Sequence, residues 1–312
     1  MVTAIRTRRA FIKLVACILL LGVLNPLRAG GRVLKITASI FPLMDFARQV
    51  AGDRAEVSLL LPPGADVHTW QPRPGEILAL SRTDLFLFCG GNLEPWAAGL
   101  VKNYRNSGGQ VLEAGAGLAS QKLDLDRDRH HAPGAADPHV WLDLSLDETI
   151  VRRIAHKLAG LDPAGQDIYQ RRADSYIQKL RALDSEFRQR LLRCRNRTII
   201  LAGHAAFGYL ASRYGLQQAS LYGLSPDAEP APRQVVGIIE LMKREGLSTI
   251  FFIKYESRKM AEVLARETKA RLLSLNPAHN LSHDDLQAGV TFLDIMKENL
   301  ESLGRGLGCE EK

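Results

Sequence analysis

Short apolar runs alternate with longer amphipathic patterns along most of this chain. The short runs are rich in β-branched residues, which favours strands, and they lie at 33–38, 56–61, 84–89, 198–202, 249–253 and 271–275. Helical periodicity is present between them, for example at 43–50, 147–159 and 234–245. Strands that alternate with helices are typical of an α/β fold with mainly parallel sheets, and this is the predicted fold class.

The alternation breaks once, between residues 162 and 194. Apolar residues recur there at steps of four and three, namely Tyr169, Ala173, Tyr176, Leu180, Leu183, Phe187 and Leu191. This stripe predicts one helix of about 30 residues, or about 45 Å. A coiled-coil partner and packing along two flanking lobes both explain a stripe of about three heptads. The second interpretation predicts an amino-terminal α/β lobe at 30–160, a linking helix at 161–194 and a carboxy-terminal α/β lobe at 195–312.

The segment 1–29 has the features of an export signal peptide. A basic start precedes an uninterrupted apolar run at 14–24, and a small-residue cleavage site ends at Ala29. The apolar run is about half of the roughly 20 residues that a membrane helix needs, which favours a cleaved leader over an anchor. Arg8 and Arg9 also resemble a twin-arginine leader, so that route and general export both stay open. We expect a periplasmic protein cleaved near Ala29.

The formal net charge of +7 resides mostly in this leader. Five of the 41 Lys and Arg side chains lie in the segment 1–29, which contains no Asp or Glu. The remainder, 30–312, has 36 basic side chains against 34 acidic ones, a net charge of +2. A nearly neutral chain without a basic stripe argues against a nucleic-acid partner.

Three cysteines follow the leader, an odd number for an oxidising compartment. Cys89 ends the apolar run 84–89 and is expected to be a buried core thiol. Cys194 and Cys309 form the only pair worth considering for a disulfide, and the pattern leaves their pairing open. Because the chain has no Cys-x-x-Cys spacing, a cysteine metal cluster is not expected.

Three histidines lie where predicted strands end. His68 follows the run 56–61, His204 follows 198–202, and His139 comes just after a polar loop. Ligands of open α/β sheets bind outside the carboxyl ends of the strands, so these imidazoles can meet in a cleft between the lobes. Three neutral imidazoles leave a fourth position on a tetrahedral Zn²⁺ for water or a carboxylate. The remaining histidines fit ordinary core or surface roles; they are His130, His131, His156, His279 and His283.

Several motifs resemble those of the periplasmic zinc and manganese solute-binding proteins of ABC importers, the ZnuA/TroA-like group. The string PGADVHTWQP at 63–72 resembles the first ligand motif, DPHVWLD at 137–143 the second and GHAAFGYL at 203–210 the third. Further matches are GNLEPW at 91–96 and GLSPDAEP at 223–230. The resemblance implies two α/β lobes bridged by a long helix, with a metal site in the interlobe cleft. It implies His68, His139 and His204 as metal ligands.

The chain departs from this family at the fourth ligand. Family members often have an aspartate in a Leu-Asp-Pro context, whereas this chain has Asn276 before Pro277. An asparagine carbonyl is neutral and cannot supply the charge that favours Mn²⁺, so the ligand set favours Zn²⁺. The glutamate that usually follows the 249–253 strand is also displaced, with Glu256 nearby. Water, Asn276, His279 and Glu256 all stay open as the fourth ligand.

The resemblance implies a binding protein, not an enzyme. Such a protein captures a divalent cation outside the cytoplasmic membrane and delivers it to the membrane permease of an ABC importer. Asp66 and Asp137 are candidates to orient the imidazoles. We expect a monomer, since no pattern requires an obligate partner. The alternative is a zinc hydrolase that uses the same three histidines, but the chain has neither a His-Glu-x-x-His helix nor a Gly-x-Ser-x-Gly elbow.

Overall fold

A computed structural model describes residues 32–90, 93–118, 137–224 and 230–310 of the chain. The predicted signal peptide and the His130–His131 pair lie outside these residues. Both therefore stay predictions. Residues 33–310 of the described chain belong to one compact unit that contains both sheets.

The first sheet is parallel and has the strand order β2-β1-β3-β4. Its elements are β1 (Leu34–Ala38), α1 (Phe41–Ala51), β2 (Ala55–Leu59), α2 (Pro74–Leu80), β3 (Leu85–Phe88), α3 (Ala97–Asn106) and β4 (Gln110–Glu113). Every side chain of the inner strand β3 is buried, as expected for a parallel strand covered on both faces.

The second sheet repeats this topology with the order β6-β5-β7-β8. Its elements are β5 (Thr198–Leu201), α6 (Gly208–Arg213), β6 (Gln217–Ser220), α7 (Pro232–Glu245), β7 (Thr249–Ile253), α8 (Lys259–Thr268) and β8 (Arg271–Leu275). The chain then adds α9 (His283–Gln287) and α10 (Phe292–Leu307). Within the described residues, the strand order of each sheet reverses direction at its first strand, β1 or β5, because the next two strands lie on opposite sides of it. Such a topological switch point is where α/β folds bind ligands.

The predicted α/β fold class is confirmed. The sequence patterns do not predict two of the strands, β4 and β6, which are the least apolar of the eight described. β4 and β6 have the sequences QVLE and QQAS. Both lie at sheet edges, where one side of the strand meets no neighbouring strand and polar residues are tolerated. The six predicted strands match β1, β2, β3, β5, β7 and β8 within two residues at each end.

A long helix separates the two sheets in sequence and packs against helices of both. Here α4 (Leu144–Leu161) leads into α5 (Gln166–Leu191), a helix of 26 residues. α5 packs on α1, α4 and α10. All seven residues of the predicted stripe are buried in the chain's own core, so that packing satisfies the stripe without a coiled-coil partner.

One apolar core runs through both sheets and the long helix. It includes Ile36 of β1, Leu180 of α5 and Leu201 of β5. The Asp45 carboxylate connects the same regions, because it accepts hydrogen bonds from the Tyr176 hydroxyl at 3.2 Å and from the Phe292 N–H at 3.1 Å. The two sheets are therefore held in one frame.

A disulfide joins Cys194, just after α5, to Cys309, just after α10. The pairing left open by the sequence is therefore formed. Cys89 is free and buried, as expected, and burial raises the pKa of its thiol well above the ordinary value. It acts as a small core residue.

Candidate metal centre

His68 lies in the turn that follows β2. The Asp66 carboxylate accepts hydrogen bonds from the backbone N–H of His68 at 2.8 Å and of Thr69 at 3.3 Å. Aspartate commonly closes turns in this way, by bonding to backbone groups two or three residues ahead. The same loop is tied to the other end of the chain, because the Gly64 N–H donates to the Leu281 carbonyl at 3.1 Å. His68 is thus held at the edge of the first sheet, and it is only partly buried.

His139 is fully buried and immediately precedes a single 3₁₀ turn, Val140–Leu142. The Asp137 Oδ1 atom accepts the His139 backbone N–H at 2.9 Å and lies 2.7 Å from His139 Nδ1. A carboxylate at Nδ1 retains the proton there and leaves the lone pair on Nε2. Burial, followed by the nearby His204, lowers the pKa of His139 well below its ordinary value. The ring is therefore prepared to bind a cation through Nε2.

His204 follows β5 and receives its carboxylate from the loop after β7. The Glu256 Oε1 atom lies 2.7 Å from His204 Nδ1, across 52 residues of sequence. A side chain at Gly203 would prevent this approach, since its Cβ would lie 2.8 Å from Ile253 Cδ1 and 3.3 Å from Glu256 Oε2. Within the described residues, the Nε2 atoms of His139 and His204 have no hydrogen-bond partner. Both nitrogens are free to bind a ligand.

The three predicted histidines come together at the carboxyl ends of the two sheets. The ring centroids lie 5.4 Å apart for His68 and His139, and 5.3 Å apart for each of the other two pairs. One ring nitrogen from each lies within 4.8 Å of the other two. Nitrogens bound to a tetrahedral Zn²⁺ are about 3.3 Å apart, so only a small contraction would complete three-point ligation.

A fourth imidazole borders this cluster. The ring centroid of His279 lies 6.1 Å from that of His204 and 6.4 Å from that of His68. Burial lowers the pKa of His279 well below its ordinary value, and the neighbouring imidazoles of His204, His68 and His139 lower it further. The sequence allows His279 either an ordinary core or surface role or the fourth-ligand position, and the structure places it buried beside the cluster. His279 follows the end of β8, so the strand-end rule that selected His68 and His204 also applies to it.

The other two protein candidates for the fourth ligand are already engaged. Asn276 Oδ1 accepts the Ala278 N–H at 2.9 Å, which is a local turn closed by the asparagine side chain. Glu256 Oε1 is occupied by the His204 imidazole. The displaced glutamate noticed in the sequence therefore supports a histidine, and no pattern in the sequence marks that long-range contact.

A cavity of about 380 Å³ opens beside His68. Its lining includes the indoles of Trp70 and Trp96, whose ring centroids are 5.1 Å apart, and the side chains of Pro72 and Ile77. Of the three clustered histidines, His68 lines this cavity and is partly exposed, whereas His139 and His204 are fully buried.

The remaining predicted surface histidines lie away from the cluster. His156 is an exposed residue of α4, and His283 is an exposed residue of α9 with its Nε2 atom 2.8 Å from the Gln287 amide. Their surface roles agree with expectation.

One protein family matches most of this chain. The model of the ZnuA family, described as the periplasmic component A of the zinc-uptake complex, matches residues 36–306. This chain belongs to that family. The match extends over both sheets and over His68, His139 and His204, so the resemblance seen in the motifs is confirmed.

Relatives of known name support the same family. The high-affinity zinc uptake system protein ZnuA of Bacillus subtilis is 30% identical over 281 residues, which cover 88% of this chain and 87% of that protein. The zinc-binding lipoprotein AdcA of Streptococcus pneumoniae is 31% identical over 287 residues, which cover 89% of this chain and 56% of AdcA. The chain thus spans little more than half the length of the AdcA relatives that it matches.

Solved structures share the fold. The Zn(II)-bound ZnuA-like domain of Streptococcus pneumoniae AdcA aligns with a TM-score of 0.74 and 30% sequence identity, covering 89% of this chain and 99% of that domain. Two parallel sheets with a long helix are therefore the architecture of this family. Within the part of the chain that the structure describes, no helix combines the length and apolar character needed to cross a membrane.

Proposed function

We propose that this protein captures Zn²⁺ outside the cytoplasmic membrane and delivers it to the permease of an ABC importer. The family is named for zinc uptake, and relatives with 30% and 31% identity are named for zinc uptake and zinc binding. The observation that carries the proposal is the meeting of three imidazoles whose ligand atoms lie within 4.8 Å of one another.

In this proposal His68, His139 and His204 bind the ion directly. Imidazole is a common protein ligand of Zn²⁺. Three imidazoles suit Zn²⁺, a borderline-soft cation, better than they suit Mn²⁺, which prefers oxygen ligands. Asp137 and Glu256 orient two of the rings and place negative charge near the ion. A site of this kind binds strongly without requiring any reacting group.

Release to a permease requires that the ion can leave again. A route for the ion past His68 is supported by two observations: His68 is the one partly buried member of the three, and it borders the cavity at Trp70. The continuous core restrains the two sheets, so we propose that loading and release move the His68 loop and its neighbours more than the whole sheets. We further propose an exported, periplasmic monomer whose signal peptide is cleaved near Ala29.

The proposal is tested by metal content and affinity. Chain purified without added metal should contain one Zn²⁺, and competition should show Zn²⁺ bound more tightly than Mn²⁺. Single replacements His68→Ala, His139→Ala and His204→Ala should weaken binding beyond the 10-fold to 100-fold typical of residues that only support a ligand. His156→Ala and His283→Ala are matched controls that should bind like the wild type. Unchanged affinity in the first three variants would refute the site.

Stability provides a second test, because an ion that binds only the folded chain raises the free energy of unfolding. At 100 times the dissociation constant, the gain is about 2.7 kcal/mol. Equal unfolding temperatures with and without saturating Zn²⁺ would contradict the proposal. The hydrolase alternative is not supported, since the family is one of metal-uptake components.

A further inference from the structure

His279 has an unusual combination of burial and missing contacts. Its side chain belongs to a residue that is 9% exposed, and its Nδ1 atom is buried without a hydrogen-bond partner in the described residues. Leaving a buried polar nitrogen unpaired costs about 1–3 kcal/mol, so most such groups in proteins have a partner. A ring in this state beside three other imidazoles requires an explanation.

The loop that carries His279 is built to hold the ring at this place. Ala278 has a left-handed backbone with φ of 63°, which costs an alanine about 1–2 kcal/mol, and Asn276 Oδ1 stabilises that turn by accepting its N–H. The His279 carbonyl then accepts the Phe41 N–H at 3.1 Å. Backbone strain of this kind is retained where the surrounding contacts determine it.

The same loop is tied to the loop of His68. The Asn280 amide donates to the carbonyls of Pro62 and Ala65, each at 2.7 Å, and both of these residues lie in the turn before His68. His279 and His68 are therefore positioned together, although they lie near opposite ends of the described chain. A movement of one loop would carry the other with it.

We propose that His279 is the fourth metal ligand, so that the centre holds Zn²⁺ with four imidazoles. This inference rests on the proposed function. It rests on proximity, and among the protein candidates His279 is favoured because Asn276 Oδ1 already accepts the Ala278 N–H and Glu256 Oε1 already contacts the His204 imidazole. The His279 centroid is about 1 Å farther from His68 and His204 than those rings are from each other. Zinc binding would have to close this difference of about 1 Å.

Four neutral nitrogens make His279 a residue that determines metal choice. Such a set suits Zn²⁺, Cu²⁺ and Ni²⁺, whereas Mn²⁺, Mg²⁺ and Ca²⁺ prefer oxygen ligands. The variant His279→Asp replaces one nitrogen by an anionic oxygen, and it should increase Mn²⁺ binding relative to Zn²⁺ binding at least tenfold. His279→Gln removes the imidazole without adding charge.

X-ray absorption at the zinc edge counts the imidazoles directly. Zinc-loaded wild type should show four, His279→Gln should show three, and the control His283→Gln should again show four. In competition titrations with a zinc chelator, His279→Gln should lose at least tenfold in affinity while His283→Gln is unchanged.

The outcomes separate this inference from the function on which it rests. Stoichiometric zinc with three imidazoles in the wild type, together with equal affinity in His279→Gln, overturns the fourth ligand alone. A wild type that binds no zinc overturns the proposed function and the fourth ligand together. If His279→Gln does not fold, the imidazole count of the wild type still decides the question.

Discussion

The two halves of the candidate metal centre differ in the sequence distance between each histidine and the side chain that positions it. In the amino-terminal half, Asp66 precedes His68 by two residues and Asp137 precedes His139 by two. Each aspartate accepts the backbone N–H of its histidine, at 2.8 Å and 2.9 Å respectively. Both turns are closed within a few residues, so little conformational entropy is lost in forming them.

The carboxy-terminal half is supported across long distances. Glu256 reaches His204 from 52 residues away, and it does so through the left-handed residue Tyr255, whose φ is 75°. The turn before His279 is anchored by Asn299 of α10, which is 23 residues from its partner Asn276. These contacts exist only after β5, β7, β8 and α10 have packed.

The aspartate contacts of His68 and His139 are therefore local, whereas the contacts that orient His204 and the turn before His279 depend on the assembled fold. A local turn survives small changes elsewhere, whereas a long-range contact depends on every element between its partners. Substitutions in the two halves should therefore differ in their consequences for stability and for zinc affinity.

Asn299→Ala should cause the largest change, a loss of about 2–4 kcal/mol in the free energy of unfolding. The Asn299 side chain accepts the Asn276 N–H at 2.8 Å and donates to the Asn276 carbonyl at 2.7 Å. Both backbone groups would be left buried and unpaired. Urea denaturation of the metal-free chain measures the effect, with the exposed residue Asn103→Ala as control. A loss no larger than that of the control would show that the anchor is dispensable.

Removing one charge from each half should weaken zinc binding unequally. Asp137→Asn should lose about 10-fold to 100-fold in affinity, and Glu256→Gln about tenfold or less. The Asp137 side chain is fully buried, whereas that of Glu256 is 23% exposed, so water can partly replace the second contact. Competition titrations measure both variants, with the exposed Glu298→Gln as control. A larger loss for Glu256→Gln would reverse the order and contradict this explanation.

Acidification should destabilise the metal-free wild type more than His279→Gln. Burial lowers the pKa of His279 in the folded chain well below 6.5. At pH values between this lowered pKa and 6.5, the unfolded chain therefore binds a proton that the folded chain does not. The stabilisation is complete above about pH 6.5 and is lost as the pH falls towards the folded pKa. Between about pH 7.5 and about pH 5.5, the free energy of unfolding should fall more for wild type than for the variant, by on the order of 1 kcal/mol. Parallel pH profiles from urea denaturation would contradict the burial of this ring.

Lys269→Gly should have the smallest effect, a stabilisation of about 0.5–1 kcal/mol. Lys269 has a φ of 57° at the end of α8, remote from the centre, and glycine adopts this conformation without strain. Zinc affinity should not change. Lys269→Ala keeps the strained backbone and is the matched control, so equal unfolding temperatures for the two variants would rule out relief of strain.

Much of the fold could be predicted from sequence because its signals are local. Six strands, the stripe from Tyr169 to Leu191 and the strand-end positions of His68 and His204 are all visible in short windows. The strands β4 and β6 could not be predicted, because these two short edge strands, QVLE and QQAS, have too few apolar residues to form a pattern, unlike the edge strands β2 and β8.

The α/β class, the long helix and the three clustered histidines could be predicted from residue patterns alone, because periodicity and strand ends are properties of neighbouring residues. The pairing of Cys194 with Cys309, the contact of Glu256 with His204 and the burial of His279 near the other rings became visible only in the folded chain. Each of these contacts joins elements far apart in the chain. Their distances are set by packing around a shared core, which no short stretch of sequence encodes.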